Sequence, residues 1–187
     1  MKILLLDNYD SFTYNLVQLV RENTSYMINV YRNNEIGLDQ VNEYDKIIIS
    51  PGPGLPHESG ILCEMIKHFH TSKHILGICL GMQAIAEVLG GKLNNINEPM
   101  HGVSTPVKHT SSKLFKNIPE EFLAGRYHSW EVDRNTLPEI LTVTCSDELN
   151  TIMAIEHKTL NICGVQFHPE SILTEYGKEI ILNFLNN

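Results

Sequence analysis

This chain lacks most of what would place it quickly. Its four cysteines, Cys63, Cys79, Cys145 and Cys163, form no Cys-x-x-Cys pair and are too sparse for a disulfide scaffold, which points to a reducing compartment. No apolar run approaches the ~18 residues of a membrane span. Ile3-Leu4-Leu5-Leu6 ends at Asp7, too short for the apolar part of a secretory signal. The expectation is a cytoplasmic protein with no membrane contact. Positive charge is scarce as well. A net charge of -8 argues against non-specific binding to nucleic acid or anionic lipid. There is no HExxH and no Cys/His zinc spacing, and His68 and His70 sit two apart on an expected helix, facing different ways. No metal is expected. Repeats, low-complexity tracts and linkers are absent too, so the 187 residues read as a single domain spanning 1–187.

What is present is an alternation of apolar runs and amphipathic segments. Ile3 to Leu6, Met27 to Tyr31, Lys46 to Ser50 and His74 to Ile78 read as strands, several of them apolar throughout, as buried parallel strands are. Phe12, Leu16, Leu19 and Val20 recur at helical spacing, a helix is expected from near Ser59 to His70, and Leu80 to Leu89 is a helix closed by Gly90-Gly91. This indicates an α/β fold with an open, mostly parallel sheet flanked by helices. The second half differs. Val103–Val107, Tyr127–Val132, Leu141–Cys145, Ile152–Ile155 and Ile162–Phe167 read as additional strands, some antiparallel, with a small extra sheet among them. A last helix carries Ile180, Ile181, Phe184 and Leu185 on one side.

Gly77-Ile78-Cys79-Leu80-Gly81 has the Gly-x-nucleophile-x-Gly spacing of a sharp strand-to-helix turn. The glycines are needed because a side chain at either position would strike the neighbouring backbone. The helix that follows offers a positive dipole end and free N–H groups, which favour a thiolate. The Leu80 N–H is then a natural oxyanion donor. Taken alone, the pentapeptide is equally a buried cysteine between packing glycines. Cys63, Cys145 and Cys163 lie in apolar contexts and read as inert core thiols.

The second segment is Gly164-Val165-Gln166-Phe167-His168-Pro169-Glu170-Ser171. It places His168 at a strand end, where α/β enzymes hold catalytic groups. Residues two apart in extended chain face the same way. Glu170 can therefore orient the imidazole, leaving its other nitrogen for the Cys79 proton. A thiol, a base and an orienting acid are what acyl transfer requires.

Together these segments resemble the class I (triad) glutamine amidotransferases. Gly77-Ile78-Cys79-Leu80-Gly81-Met82-Gln83 is similar to that family's nucleophile motif, Gly164 to Ser171 to its His/Glu motif, and Ser50-Pro51-Gly52-Pro53-Gly54 to its glycine-rich oxyanion loop. The likeness runs from Met1 to the last helix and implies a flavodoxin-like sheet. Leu6 to Leu16, Met100-His101-Gly102 and Arg126-Tyr127-His128-Ser129-Trp130 further resemble the chorismate-utilising branch, the small subunits of anthranilate synthase and of aminodeoxychorismate synthase. Two positions depart from the pattern: Met82 stands where many members have His, and Trp130 where many have Leu.

The resemblance implies L-glutamine as substrate, attacked by Cys79 with His168 and Glu170 completing the triad. It implies an oxyanion site at Leu80 N–H and a glycine N–H, Gly52 first and Gly54 second. It implies a glutamine pocket of Gly52, Pro53, Gly54, Gln83, Ser129 and Trp130, and no cofactor on this subunit, magnesium belonging with the chorismate partner. The chain is too short to carry a chorismate site as well, so a chorismate-binding large subunit is expected to receive the ammonia. Asn8, Tyr9, Asp10, Ser11 and Phe12 are the expected docking loop, the alternative being a plain helix cap. Anthranilate synthase is the favoured role and aminodeoxychorismate synthase the alternative. A free-standing γ-glutamyl cysteine hydrolase is a third reading, and a non-catalytic binding or regulatory derivative of the fold a fourth.

Overall fold

Four parallel strands and their helices build the scaffold that carries the site. The computed structural model describes residues 1–96, 98–110 and 112–187. Strand β1 (Lys2–Asp7) lies between β2 (Met27–Arg32) and β3 (Lys46–Ile49), and β4 (His74–Ile78) pairs with β3, all in parallel. Ile3, Leu4, Leu5 and Leu6 are all fully buried. Burying each such side chain contributes about 1.5–3 kcal/mol. The period of two sorts them: Ile3 and Leu5 join the core under α1 (Thr13–Asn23) and the C-terminal helix, while Leu4 and Leu6 join the core under the helices of the opposite face. That second face is covered by the short α2 (Leu38–Val41), α3 (Leu62–Phe69) and α4 (Leu80–Val88).

The later strands continue this sheet. They are β5 (Leu93–Asn95), β6 (Val103–His109), β7 (Glu121–Arg126), β8 (Trp130–Val132), β9 (Leu141–Asp147), β10 (Ile152–His157) and β11 (Ile162–Val165), followed by α5 (Gly177–Asn186). The nine-stranded order is β2-β1-β3-β4-β11-β10-β9-β6-β7, and β5 pairs with β8 in a separate ribbon. β11 is parallel to β4, while each pairing from β11 outward to β7 is antiparallel. The α/β architecture with a parallel first half and antiparallel second half is as expected. The pairings divide evenly, so the sheet is mixed rather than mostly parallel. Tyr127–Val132 is not one strand, because residues 127–129 turn out of the sheet between β7 and β8. β11 stops at Val165, short of Phe167.

Strand order reverses at β1, with β2 on one side and β3 on the other. In open α/β sheets the crevice outside the carboxyl ends of the strands at such a point is where ligands bind. The carboxyl ends of β1, β3, β4 and β11 lead directly into Asn8, Ser50, Cys79 and Gln166.

Candidate active site

Cys79 occupies the turn from β4 into α4 with φ 50° and ψ −102°. Positive φ on a non-glycine residue is strained, at a cost of order 1–3 kcal/mol, and clusters at functional sites. The turn is held by its own N–H, which donates to Val165 O at 2.7 Å. The flanking glycines are forced by close approach: a Cβ on Gly77 would run into the Gly81 backbone, and one on Gly81 would lie 2.9 Å from Ile49 Cβ. Leu80 is the first residue of α4, so its N–H has no partner within the helix. Met82 is fully buried and fills the space beside Gly164, where a Cβ would lie 2.7 Å from Met82 Cγ.

His168 and Glu170 leave the end of β11 on a tightly braced turn. The His168 N–H donates to Gly125 O at 3.0 Å, and Thr174 Oγ1 donates to His168 O at 2.6 Å. His168 Nδ1 meets Glu170 Oε1 at 2.7 Å with both side chains buried. Glu170 therefore fixes the proton on Nδ1, and Nε2 has no hydrogen bond among the described residues. Burial pulls the His168 pKa down, but the neighbouring Cys79 sulfur and the hydrogen bond and negative charge of Glu170 outweigh it and raise the value to about 10. The imidazole is thus poised as a cation beside the Cys79 sulfur. Tyr127 packs on it with ring centroids 4.9 Å apart, and Phe12 packs on Tyr127 at 5.9 Å.

The glycine-rich loop follows β3. Gly52 sits so close to the β1 end that a Cβ would lie 2.5 Å from Asn8 O and 3.0 Å from Leu80 Cδ2, which sets it beside the N-terminus of α4. Gly54 is exposed, with φ +75°, and the Glu58 carboxylate occupies the space next to it. Pro53 is exposed. Asn8 bolts the loop down: its N–H donates to Ser50 Oγ at 2.8 Å, its Nδ2 to Ser50 O at 3.0 Å, and its Oδ1 accepts from Asn33 Nδ2 at 3.0 Å. Asn8 is 2% exposed. Its side chain is therefore internal, and the expectation that it faces a partner is corrected. The rest of the loop is outward: Tyr9 is 50% and Phe12 37% exposed. Ser11 is exposed and Asp10 is partly buried. Asp10 has its pKa raised, chiefly by burial, and it is close enough to Glu170 and His168 to feel both charges.

Gln83, Ser129 and Trp130 meet on the other side of α4. Gln83 is buried, and its Nε2 donates to Trp130 O at 2.9 Å and to Gln166 Oε1 at 3.2 Å. Ser129 is exposed and Trp130 half-buried, so the backbone of this segment rather than the indole is what Gln83 engages. Gln166, the buried Arg126 and His128, and Asp147, whose side chain is covered by its pairing with Arg126, are not singled out individually in the sequence. Gln166 and two of the others stand inside motifs quoted above, where only their neighbours drew attention.

The remaining thiols differ in kind. Burial pushes Cys145 up to about 12 and also raises Cys163 and Cys63. A cavity of about 1040 Å³ lies away from Cys79 and His168, between β6, β9 and residues 112–118. His109 lines it beside Cys145, with Nδ1 2.9 Å from Thr110 O and Nε2 2.8 Å from Pro119 O, so both ring nitrogens are already engaged by backbone. Among the described residues no group of three His, Cys, Asp or Glu side chains could hold a metal, and no helix is long and apolar enough to cross a membrane.

The sequence profile of class-I glutamine amidotransferases matches residues 4–187. The chain belongs to this family. Among its relatives, anthranilate synthase component 2 of Pyropia yezoensis is 46% identical over 98% of both chains. The aminodeoxychorismate/anthranilate synthase component 2 of Bacillus subtilis is 46% identical over 98% of this chain and 95% of its own. A crystal structure from Thermoplasma acidophilum, assigned to GMP synthase, superposes with a TM-score of 0.89 at 28% identity, covering 100% of this chain and 92% of that one. In this member of the family the Cys79 turn follows β4, and the hydrogen-bonded His168 and Glu170 follow β11.

Proposed function

We propose that this amidotransferase hydrolyses glutamine through Cys79, His168 and Glu170 and delivers the ammonia to a chorismate-binding large subunit. The observation that carries the reading is the pairing of a strained Cys79 with the buried His168–Glu170 hydrogen bond. The Cys79 thiolate attacks the side-chain carbonyl carbon of glutamine. The oxyanion forms between the Leu80 N–H and the Gly52 N–H, each such donor contributing about 3 kcal/mol. Gly52 is favoured over Gly54 because it packs against Leu80, whereas Gly54 lies beside the Glu58 carboxylate, the wrong charge for an oxyanion. The imidazolium of His168 protonates the departing ammonia, leaving a glutamyl thioester. His168, now neutral, takes a proton from water, which attacks the thioester and releases glutamate and the thiolate. No step calls on a cofactor bound to this chain.

The glutamine pocket in this reading is Gly52, Pro53, Gly54, Gln83 and the backbone at Ser129–Trp130. Among the described residues Gln83 Oε1 is in no hydrogen bond and is not a buried orphan, which leaves it to accept from the substrate amide. The docking surface comprises Tyr9, Asp10, Ser11 and Phe12, extended by Ile172, which is 99% exposed two residues after Glu170. Anthranilate synthase is the favoured assembly. The Bacillus relative, whose printed name joins both roles, keeps aminodeoxychorismate synthase as the second reading. A glutamine-analogue electrophile tests the site: it should label Cys79 and spare Cys63, Cys145 and Cys163 on peptide mapping. Labelling distributed over several thiols would contradict the assignment.

A further inference from the structure

Gln166 is fully buried and its Nε2 lies 3.4 Å from Cys79 Sγ. The oxygen and nitrogen of an amide are told apart by their partners. Here a backbone carbonyl decides, because Trp130 O can only accept. It takes Gln83 Nε2 at 2.9 Å and His128 Nδ1 at 2.9 Å. Gln83 therefore presents its NH2 group on this side, and the same nitrogen lies 3.2 Å from Gln166 Oε1. With its oxygen committed, Gln166 has only its NH2 to turn to the sulfur.

The far end is fixed by the same logic. His128 must carry its proton on Nδ1, so its Nε2 accepts from Arg126 Nε at 3.1 Å. Burial and the Arg126 charge pull the His128 pKa down to about 4, so the ring stays neutral and keeps that lone pair. Arg126 in turn pairs with Asp147 at 2.7 Å, both side chains being buried. The path from Asp147 through Arg126, His128, Trp130 O and Gln83 to Gln166 has one consistent set of donors. Its last donor points at the nucleophile.

We propose that Gln166 is a catalytic residue whose side-chain amide donates to the Cys79 sulfur and favours the thiolate, and that Gln83, His128 and Arg126 are positioning residues that keep this amide from flipping. This rests on the reading of Cys79 as nucleophile. A hydrogen bond to an ionised acceptor is stronger than one to the neutral form, so a fixed donor shifts the balance toward the anion. Beside the sulfur stands His168, with Glu170 behind it, and Asp10 feels the charges of both. Gln166 adds a donor that carries no proton to lose, and so acts at every pH.

The test is the pH profile of Cys79 alkylation by iodoacetamide, followed by peptide mapping on the full chain, for wild type, Gln166→Met and Gln166→Glu. Met keeps the length and removes the donor. Its midpoint should rise by about one pH unit, the size expected for one hydrogen bond to a charged group. Gln166→Glu should raise it further, since it sets a like charge on the sulfur. A role in packing alone would lower the melting temperature and leave the midpoint unchanged, and that result overturns the proposal. A second measurement needs no folded variant at Gln166. In the 15N-labelled wild type, the Gln166 side-chain amide signals should shift over the same pH interval as alkylation, and the shift should vanish in Cys79→Ser. Amide signals that ignore the titration also overturn the proposal. Failure of the nucleophile reading looks different: wild-type Cys79 would then alkylate no faster than Cys145.

Discussion

Replacing Gly52 by alanine puts one methyl group where the oxyanion loop meets the end of β1. The new Cβ would stand 2.5 Å from Asn8 O and 2.6 Å from Asn8 Cβ, against 3.4 Å for an ordinary contact, so about 0.9 Å must be found. Asn8 cannot supply it. It is buried and held by hydrogen bonds to Ser50 and Asn33, and on the other side Leu80 Cδ2 stands 3.0 Å from the same point. The loop must therefore lift, carrying the Gly52 N–H away from the oxyanion. Losing one such donor lowers kcat by about 10²–10³, and overpacking of this kind costs about 1–3 kcal/mol of stability. The assay is product formation by the complex with its large subunit, driven by glutamine or by ammonium salt, together with the melting temperature. Glutamine-driven turnover should fall about a hundredfold or more while ammonia-driven turnover is unchanged. Gly54→Ala is the control: its φ of +75° strains an alanine, but the loss of kcat should be smaller. A folded Gly52→Ala enzyme within about threefold of wild-type kcat on glutamine, a loss well short of the 10²-fold a donor supplies, would refute the assignment of Gly52.

Glu170→Gln keeps the shape of the orienting group and removes its charge, so its loss of glutamine-dependent kcat should be smaller than that of His168→Ala; equal losses would mean Glu170 does more than orient. His168 holds its proton more tightly folded than unfolded, its pKa rising from 6.5 to about 10. Its contribution to stability is therefore complete below pH 6.5 and is lost as pH rises toward 10. Chemical denaturation of wild type and His168→Ala across that interval should show the difference between them shrinking, and a constant difference would contradict it. Tyr9→Glu together with Ile172→Lys should weaken large-subunit binding in titration calorimetry and lower partner-stimulated glutamate release. Release by the isolated chain should stay the same; undiminished affinity would remove this surface as the docking face.

The parts of this molecule legible in the sequence are those specified locally. Continuous apolar runs announced β1, β3 and β4 because strands buried on both faces have no polar side to show. The nucleophile turn could be read because close approach at Gly77 and Gly81 admits only glycine. Features made by distant partners were not legible. Asn8 reads in the sequence as part of the docking loop, yet its hydrogen bonds run to Ser50, 42 positions away. β7 was missed because Ala124 and Gly125 dilute its strand character, and Gly125 is there for close approach: a Cβ would lie 2.9 Å from Leu173 Cβ. Tyr127–Val132 alternates well enough to read as one strand. The break at residues 127–129 arises because the His128 and Ser129 carbonyls accept from Met100 N–H and Ile96 N–H instead of from a sheet neighbour. Gln166 sat inside a recognised motif, but only the pinned carbonyl of Trp130 shows which way its amide points.

The central claim is that Cys79 is the group through which glutamine yields ammonia. It is tested most directly by Cys79→Ser in the assembled complex, assayed with glutamine and, separately, with ammonium salt. A serine hydroxyl is far less acidic than a thiol and cannot form the ion pair with His168. Glutamine-dependent synthesis should vanish while ammonia-dependent synthesis proceeds at the wild-type rate. Retained glutamine-dependent turnover in that complex would contradict the account.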